Sequence, residues 1–336
     1  MAQPLLEISG LRTGFETHDG TVPAVDGVDL TVHAGKTLCV VGESGCGKSV
    51  TARSILRLVE EPGRIEAGTV TWHGDDEPFD VLSLDHDDER LQKLRGGDIG
   101  MIFQEPAASL LPLRSIGAQL IETIRNHTDL DKKAARERAI DLLQLVGIPK
   151  PHERVDAYPF QLSGGMCQRA MIAIALCADP SLLIADEPTT ALDVTTQARI
   201  LDLMRNLQER HHMAVMFITH DLGVVAELAD EVAVMYLGRV VERAGVEELF
   251  ADPKHPYTRA LLESVPVLGR DRGRDLPTVP GTVPNPLHRP KGCSFHPRCR
   301  DAIAGRCDID EPPEVVFDDG RTAECVLYDD REGAQA

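Results

Sequence analysis

The octapeptide Gly42-Glu43-Ser44-Gly45-Cys46-Gly47-Lys48-Ser49 constrains this chain more than any other stretch. Before it, Thr37-Leu38-Cys39-Val40-Val41 predicts a buried strand; after it, Val50 to Leu58 predicts a helix. Strand, glycine-rich turn and helix in that order let backbone N–H groups wrap a phosphate. The glycines permit the tight, inward-facing turn, and the helix N-terminus adds its positive dipole end. Lys48 reaches β- and γ-phosphates, and the Ser49 hydroxyl suits Mg²⁺. The loop as a whole, Glu43, Ser44 and Cys46 included, is therefore expected to bind a nucleotide. Cys46, at the helix N-terminus and near Lys48, is expected to be more thiolate-like than Cys39, Cys167 or Cys177.

A chain of 336 residues, 42% hydrophobic, holds one large domain and smaller pieces. Its net charge of −19 disfavours a broad nucleic-acid footprint. The best uncharged apolar run, Met171 to Ala178, is far too short to span a bilayer. The N-terminal Met-Ala-Gln-Pro-Leu-Leu-Glu lacks the basic flank and apolar core of a secretory signal. A soluble, cytosolic protein is expected, and in that compartment eight cysteines do not form a disulfide framework.

Along the chain, residues 5–35 alternate apolar and polar and predict short strands with turns at Gly20 and Gly27. Phe15 stands among polar neighbours, either as a minor core residue or as a lid for an adenine ring. Gly68–Trp72 and Ile99–Phe103 read as strands, the second ending at Gln104-Glu105-Pro106. The acidic run 75–89, with Asp75 and Asp76, reads as a solvated loop and not a metal site. From Ser115 to Val146 the period is helical, an insertion of about 60 residues without a strand signal. Leu162-Ser163-Gly164-Gly165-Met166 precedes a helix that Ser163 would cap. Ser181 to Glu187 is a buried strand ending in two carboxylates, the first suited to Mg²⁺ and the second to activating water. The strand Met213–Thr219 ends at His220, and ligands of open α/β sheets sit at such strand ends. Beyond about residue 253, prolines from Pro253 through Pro266 and Pro277 to Pro290 predict a separate C-terminal segment on a Pro-rich linker.

Gly42–Ser49, Gln104, Leu162-Ser163-Gly164-Gly165, Asp186-Glu187, Ala191-Leu192-Asp193 and His220 stand in the order and spacing of ABC-transporter ATPases, and residues 5–245 resemble that family. Met166, Ile102–Pro106, Asp186–Val194, His255-Pro256-Tyr257-Thr258-Arg259 and Gly292–Cys299 are similar to one subgroup, the ATPases of bacterial oligopeptide/dipeptide (nickel) importers. Leu111 departs from it, since relatives usually carry Asn there. The resemblance implies an α/β fold: a RecA-like P-loop core, an antiparallel β subdomain and a helical subdomain at about 105–170, all within residues 1–252. Residues 253–336 would form a small, irregular, Cys-rich C-terminal domain. Phe15 would stack on adenine; Lys48 and Ser49 would hold phosphates and Mg²⁺; Gln104 would sense the γ-phosphate and metal, with Asp186 a further Mg²⁺ ligand. Glu187 would polarise the attacking water and His220 would hold the γ-phosphate. Ser163, Gly165 and Met166 would touch the nucleotide of a second ATPase subunit, expected to be a different chain. Two transmembrane permeases and an extracytoplasmic substrate-binding protein complete the expected importer, with the ATPase peripheral on the cytoplasmic side of the membrane and no nucleic acid involved. Peptides are the expected cargo, with nickel chelates or sugars as alternatives. A soluble ABC ATPase acting on nucleic acid or ribosomes would be expected to carry two cassettes or a coiled coil, which this chain lacks. A P-loop metabolic kinase leaves Leu162–Met166 and His220 unexplained.

Cys293, Cys299, Cys307 and Cys325 are separated by five, seven and seventeen residues. So dense a set in a Pro-, Gly- and charge-rich segment needs a staple, because the segment has little core of its own. The wide loops suit a [4Fe–4S] cluster; zinc, with His296 replacing a thiolate, is the alternative, and unliganded cysteines the third reading. Loss of Cys299 is expected to loosen residues 267–336 and leave ATP binding at Lys48 intact.

Overall fold

The structure, a computed structural model, describes residues 3–74, 77–190, 192–265 and 278–329. Asp75, Asp76, Ala191, Pro266 and Pro277 lie outside the described residues. The described strands are β1 (Pro4–Thr17), β2 (Gly20–His33), β3 (Thr37–Val41), β4 (Gly63–Trp72), β5 (Phe79–Asp80), β6 (Ile99–Ile102), β7 (Leu182–Asp186), β8 (Ala214–Thr219), β9 (Glu231–Tyr236), β10 (Arg239–Gly245), β11 (Glu314–Val316) and β12 (Thr322–Glu324). The chain divides into two compact units. The first holds Met1–Glu7, Thr31–Thr37 and Thr71–Ile218; the second holds Ile8–Leu30, Leu38–Val70 and Thr219–Ala336.

In the first unit β6, β7 and β8 pair in parallel, with Ile99 opposite Leu182 and Leu182 opposite Ala214. Every residue of these three strands is buried, as their unbroken apolar runs require of strands covered on both faces. No strand interrupts residues 103–181. Helix Ile116–His127 is capped by Ser115, whose hydroxyl accepts the Ala118 N–H, and helix Lys132–Leu145 by Asp131, which accepts from Ala134. Ile116, Leu120 and Ile124 form one buried stripe. Helix Gly164–Ala175 starts at Ser163 as the sequence predicts, its hydroxyl accepting the Met166 N–H.

In the second unit β1, β2 and β4 lie in the order β2-β1-β4. β1 and β2 are each 14 residues long, so the short strands expected here do not form. Gly27 sits inside β2 at φ 75, and a glycine at positive φ bends a strand without ending it. A second sheet runs β11-β12-β10-β9-β3, with β3 parallel to β9 and β10 antiparallel to both β9 and β12.

The C-terminal segment is less irregular than its prolines suggest. Helix Pro256–Glu263 begins with a proline where the missing N–H has no intrahelical partner to lose, and His255 Nδ1 accepts the Tyr257 N–H at 3.0 Å. β12 extends the sheet by pairing Ala323 with Glu242, so the segment is not separate from this unit's sheet. Phe295 of the tail lies 5.3 Å from the rings of both Tyr236 and Tyr257, and all three are essentially excluded from solvent. Stacking of this kind supplies the apolar core that composition withheld from the tail.

One carboxyl in this sheet is under stress. β11 places Glu314 directly opposite Glu324, and burial, aided by Glu314 and Glu311, pushes Glu324 up to about 7. A carboxyl raised on folding binds more protons in the folded than in the unfolded chain between its two pKa values, so its contribution to stability falls as pH rises from about 4.5 to about 7. Glu324→Gln is expected to raise the melting temperature by roughly 2–4 °C at pH 8 and not at pH 4. A gain independent of pH in thermal melts would show that charge is not the cause.

Candidate nucleotide and phosphoryl-transfer site

The predicted phosphate loop forms between β3 and a helix running Lys48–Ile55, which ends earlier than predicted as Arg57 turns to φ 53. Gly47 caps it in the left-handed region at φ 101. A Cβ on Gly42 would fall 2.2 Å from the Met235 carbonyl oxygen, and one on Gly47 2.2 Å from that of Ala24, so both positions admit glycine alone. Gly45, at φ 80, faces open space. Lys48 is buried, and its Nζ donates to the carbonyls of Gly42 (2.8 Å) and Glu43 (3.0 Å). Ser44 and Gly45 are exposed at the mouth of the loop, and Ser49 is half-buried. Phe15 is half-buried in the same unit, its ring against Gly63.

Cys46 is a buried thiol, which its place in the loop does not reveal. Its side chain is 2% exposed, and burial pushes the thiol above its ordinary value although Lys48, 3.6 Å away, pulls it back. Desolvation of the thiolate outweighs the nearby cation, so the activated thiolate expected there is not favoured. Cys39 and Cys177 are driven up to about 12 and Cys167 is raised, all by burial.

Glu43 is held from the C-terminal segment. Arg298 Nη1 and Nη2 donate to its two carboxylate oxygens at 2.6 and 2.9 Å, and its own N–H donates to Tyr257 Oη at 2.9 Å. The Glu43 hydrogen bonds, ahead of all other influences, hold Arg298 above the usual arginine range. Sequence reading missed this contact. Arg298 and Tyr257 stand in motifs that it singled out, yet no spacing shows that residues 255 positions apart meet.

In the first unit Asp186 ends β7 with 1% exposure, and Glu187 follows at φ 47, a strained position for a residue with a side chain. The Glu187 N–H donates to the Ile218 carbonyl at 3.0 Å. Its Oε2 accepts from Gln104 Nε2 and from Thr190 Oγ1, each at 3.2 Å. The structure thus brings together two residues predicted to act on the γ-phosphate, and adds Thr190, which sequence reading passed over. Ser163 is exposed at the start of its helix, with Gly165 and Met166 half-exposed behind it. His220, in the second unit, is exposed after β8.

Among the described residues no group of three or more His, Cys, Asp or Glu side chains is arranged to hold a metal ion, so zinc finds no site at the tail cysteines. Burial first, then the neighbouring cysteines, lifts Cys293 to about 11 and Cys325 to about 12. Cys307 Sγ accepts the Ile303 N–H at 3.3 Å.

Comparison with known proteins places this geometry. Residues 25–190 match the ABC transporter family and residues 241–307 the oligopeptide/dipeptide transporter C-terminal region. The chain is 47% identical to the oligopeptide transport ATP-binding protein AppD of Bacillus subtilis, over 98% of each chain. It belongs to the ABC transporter ATPases of the oligopeptide/dipeptide branch. OppD of the same organism is 47% identical over 93% of this ATPase and 85% of its own length, and a Brucella melitensis relative is 48% identical over 97% and 98%. Among solved structures, a dimeric ATP-binding cassette in a post-hydrolysis state with ADP and Pi superimposes with a TM-score of 0.64 at 26% identity, covering 72% of this ATPase and 98% of that chain. The resemblance and fold class read from the motifs are both borne out, and the chain is an ABC ATPase. Among the described residues no helix is long and apolar enough to cross a membrane.

Proposed function

We propose that this ATPase energises peptide import across the cytoplasmic membrane, docked on its cytoplasmic face to two permease subunits and supplied by an extracytoplasmic binding protein. The observation that carries the reading is the 47% identity, along 98% of both chains, to a protein named for oligopeptide transport. Residues 1–252, with the helical subdomain at 105–170, act as the motor, and residues 253–336 as its branch-specific C-terminal domain.

Phosphoryl transfer needs positioning and charge stabilisation more than covalent chemistry. Lys48 and the loop amides of residues 42–49 bind the phosphates, and Phe15 covers the adenine. Ser49, Asp186 and Gln104 offer the oxygen donors that Mg²⁺ prefers; when bound, the ion neutralises charge on the phosphates. Glu187, steered by Gln104 and Thr190, orients the attacking water, and His220 holds the γ-phosphate. Ser163, Gly165 and Met166 face the nucleotide of a second, non-identical ATPase subunit.

A patch in the first unit supports the permease contact. Leu111, Leu113 and Phe160 are 53%, 87% and 73% exposed, and Tyr158 stacks on Phe160 with ring centroids 5.5 Å apart. The two segments are joined where the Ile116 N–H donates to the Ala157 carbonyl at 2.8 Å. Large apolar side chains left exposed on adjoining segments are what a partner would cover. Leu111 and Leu113 fit the apolar face of a permease loop. The test is extraction of native membranes in detergent: two hydrophobic subunits should co-purify, and peptide-loaded binding protein should stimulate ATP hydrolysis. Stimulation by a nickel chelate or a sugar instead of peptide would reassign the cargo. Activity confined to a membrane-free fraction would remove the transport reading.

The tail cysteines are proposed to hold a [4Fe–4S] cluster in a structural or redox-sensing role. Four cysteines within 33 positions of a Pro-, Gly- and charge-rich segment, with the Ile303 N–H on the Cys307 sulfur, are the donors such a cluster would take. Anaerobically purified protein should be brown and carry about four irons. Cys299→Ser should lose them; full iron in that variant would exclude Cys299 as a ligand.

A further inference from the structure

We propose that Arg298, in the C-terminal segment, is a positioning residue for nucleotide binding, acting on Lys48 through Glu43. The chain of contacts is continuous and lies wholly within the second unit. Arg298 is only 4% exposed and grips the Glu43 carboxylate with both Nη atoms, at 2.6 and 2.9 Å. It is fixed in turn by the Pro280 carbonyl, 2.7 Å from its Nε, and by Tyr236 Oη at 3.4 Å. Its guanidinium also lies 5.9 Å from the centroids of Tyr236 and Phe295, where ring faces favour a cation. Tyr257 anchors the other side of Glu43 by accepting its N–H at 2.9 Å. Glu43 is thus held at side chain and backbone, and its carbonyl, with that of Gly42, receives Lys48 Nζ.

A forked guanidinium–carboxylate pair fixes orientation as well as distance, which a lysine point charge does not. Releasing it leaves the remaining charge of the pair uncompensated and lets the first turn of the loop shift. The nucleotide site therefore depends on the tail, contrary to the independence that the sequence suggests. The proposal rests on Lys48 contacting phosphate.

The test uses the full-length chain, with MgATP as the probe in calorimetric titrations. Arg298→Met and Glu43→Gln should each weaken MgATP binding about tenfold or more, and the double variant should be no worse than either single one. Arg298→Lys should recover part of the loss. In the assembled transporter KM should rise while kcat at saturating MgATP stays within about threefold, because the water-activating group is untouched. A purely structural role would lower the melting temperature and leave the affinity of the folded protein unchanged. Should Arg298→Met fail to fold, Glu43→Gln, which keeps the side-chain shape, decides alone. Parent-like affinity in folded Glu43→Gln overturns the proposal. Lys48→Ala is the control: if it loses binding while the clamp variants do not, only the clamp fails; if it too binds like the parent, the phosphate-site reading fails.

Discussion

Replacing Glu187 with Gln leaves MgATP binding near the parent level and lowers steady-state hydrolysis about 10²–10⁴-fold. In the proposed role Glu187 acts on water and not on the ground-state nucleotide, so its loss falls on the transition state. The structure sharpens the expectation. Glu187 sits at φ 47, a conformation costing about 1–3 kcal/mol that persists only where the surroundings impose it. Those surroundings are the Ile218 carbonyl on its N–H, and Gln104 and Thr190 on Oε2. Glutamine keeps the size and removes the charge that polarises water, so the fold survives and the chemistry does not. Thr190→Val should give a smaller loss, since it removes the Thr190 hydroxyl from Oε2 and leaves Gln104 there. Single-turnover hydrolysis with radiolabelled ATP separates the steps, and parent-like turnover in Glu187→Gln would strip the residue of its role.

The second large effect is expected at Gly47. Gly47→Ala should abolish measurable MgATP binding, a loss of at least about 100-fold. The added Cβ would lie 2.2 Å from the backbone oxygen of Ala24, where neither side can yield without moving main chain, and φ 101 is closed to alanine in any case. Gly47 also receives both the N–H and the hydroxyl of Thr51 at its carbonyl, so its displacement frays the helix that starts at Lys48. Gly45→Ala is the matched comparison: it carries the strain of φ 80 but meets nothing within 4 Å, so it should lose less binding than Gly47→Ala. Equal binding by the two variants in calorimetry would show that steric closure at Gly47 does not shape the loop.

Much of the site is legible along the chain because it is built from local geometry. Gly42 to Ser49 is one turn between one strand and one helix, and its glycines are dictated by positive φ at 42, 45 and 47. Asp186 and Glu187 fall at a strand end because the four apolar residues before them must be buried in a parallel sheet. Errors arose where the outcome depended on solvation or on distant chain. Cys46 looks activated beside Lys48, and burial reverses that balance. Gly27 looks like a turn, and β2 runs through it. The prolines of the tail conceal a helix at 256–263 and the strand β12, whose pairing with β10 is visible only once both are placed.

By itself the sequence determined the family, the fold class and the glycine-rich loop between β3 and its helix, because each rests on short motifs whose physics is complete within a few residues. The tertiary structure alone decided three things. It set Gln104 and Thr190 on the Glu187 carboxylate and turned Cys46 into a buried thiol. It also bound Glu43 to Arg298 across 255 positions of chain. Each depends on burial or on contacts between remote segments, and neither quantity has a period or a spacing that a linear sequence can carry.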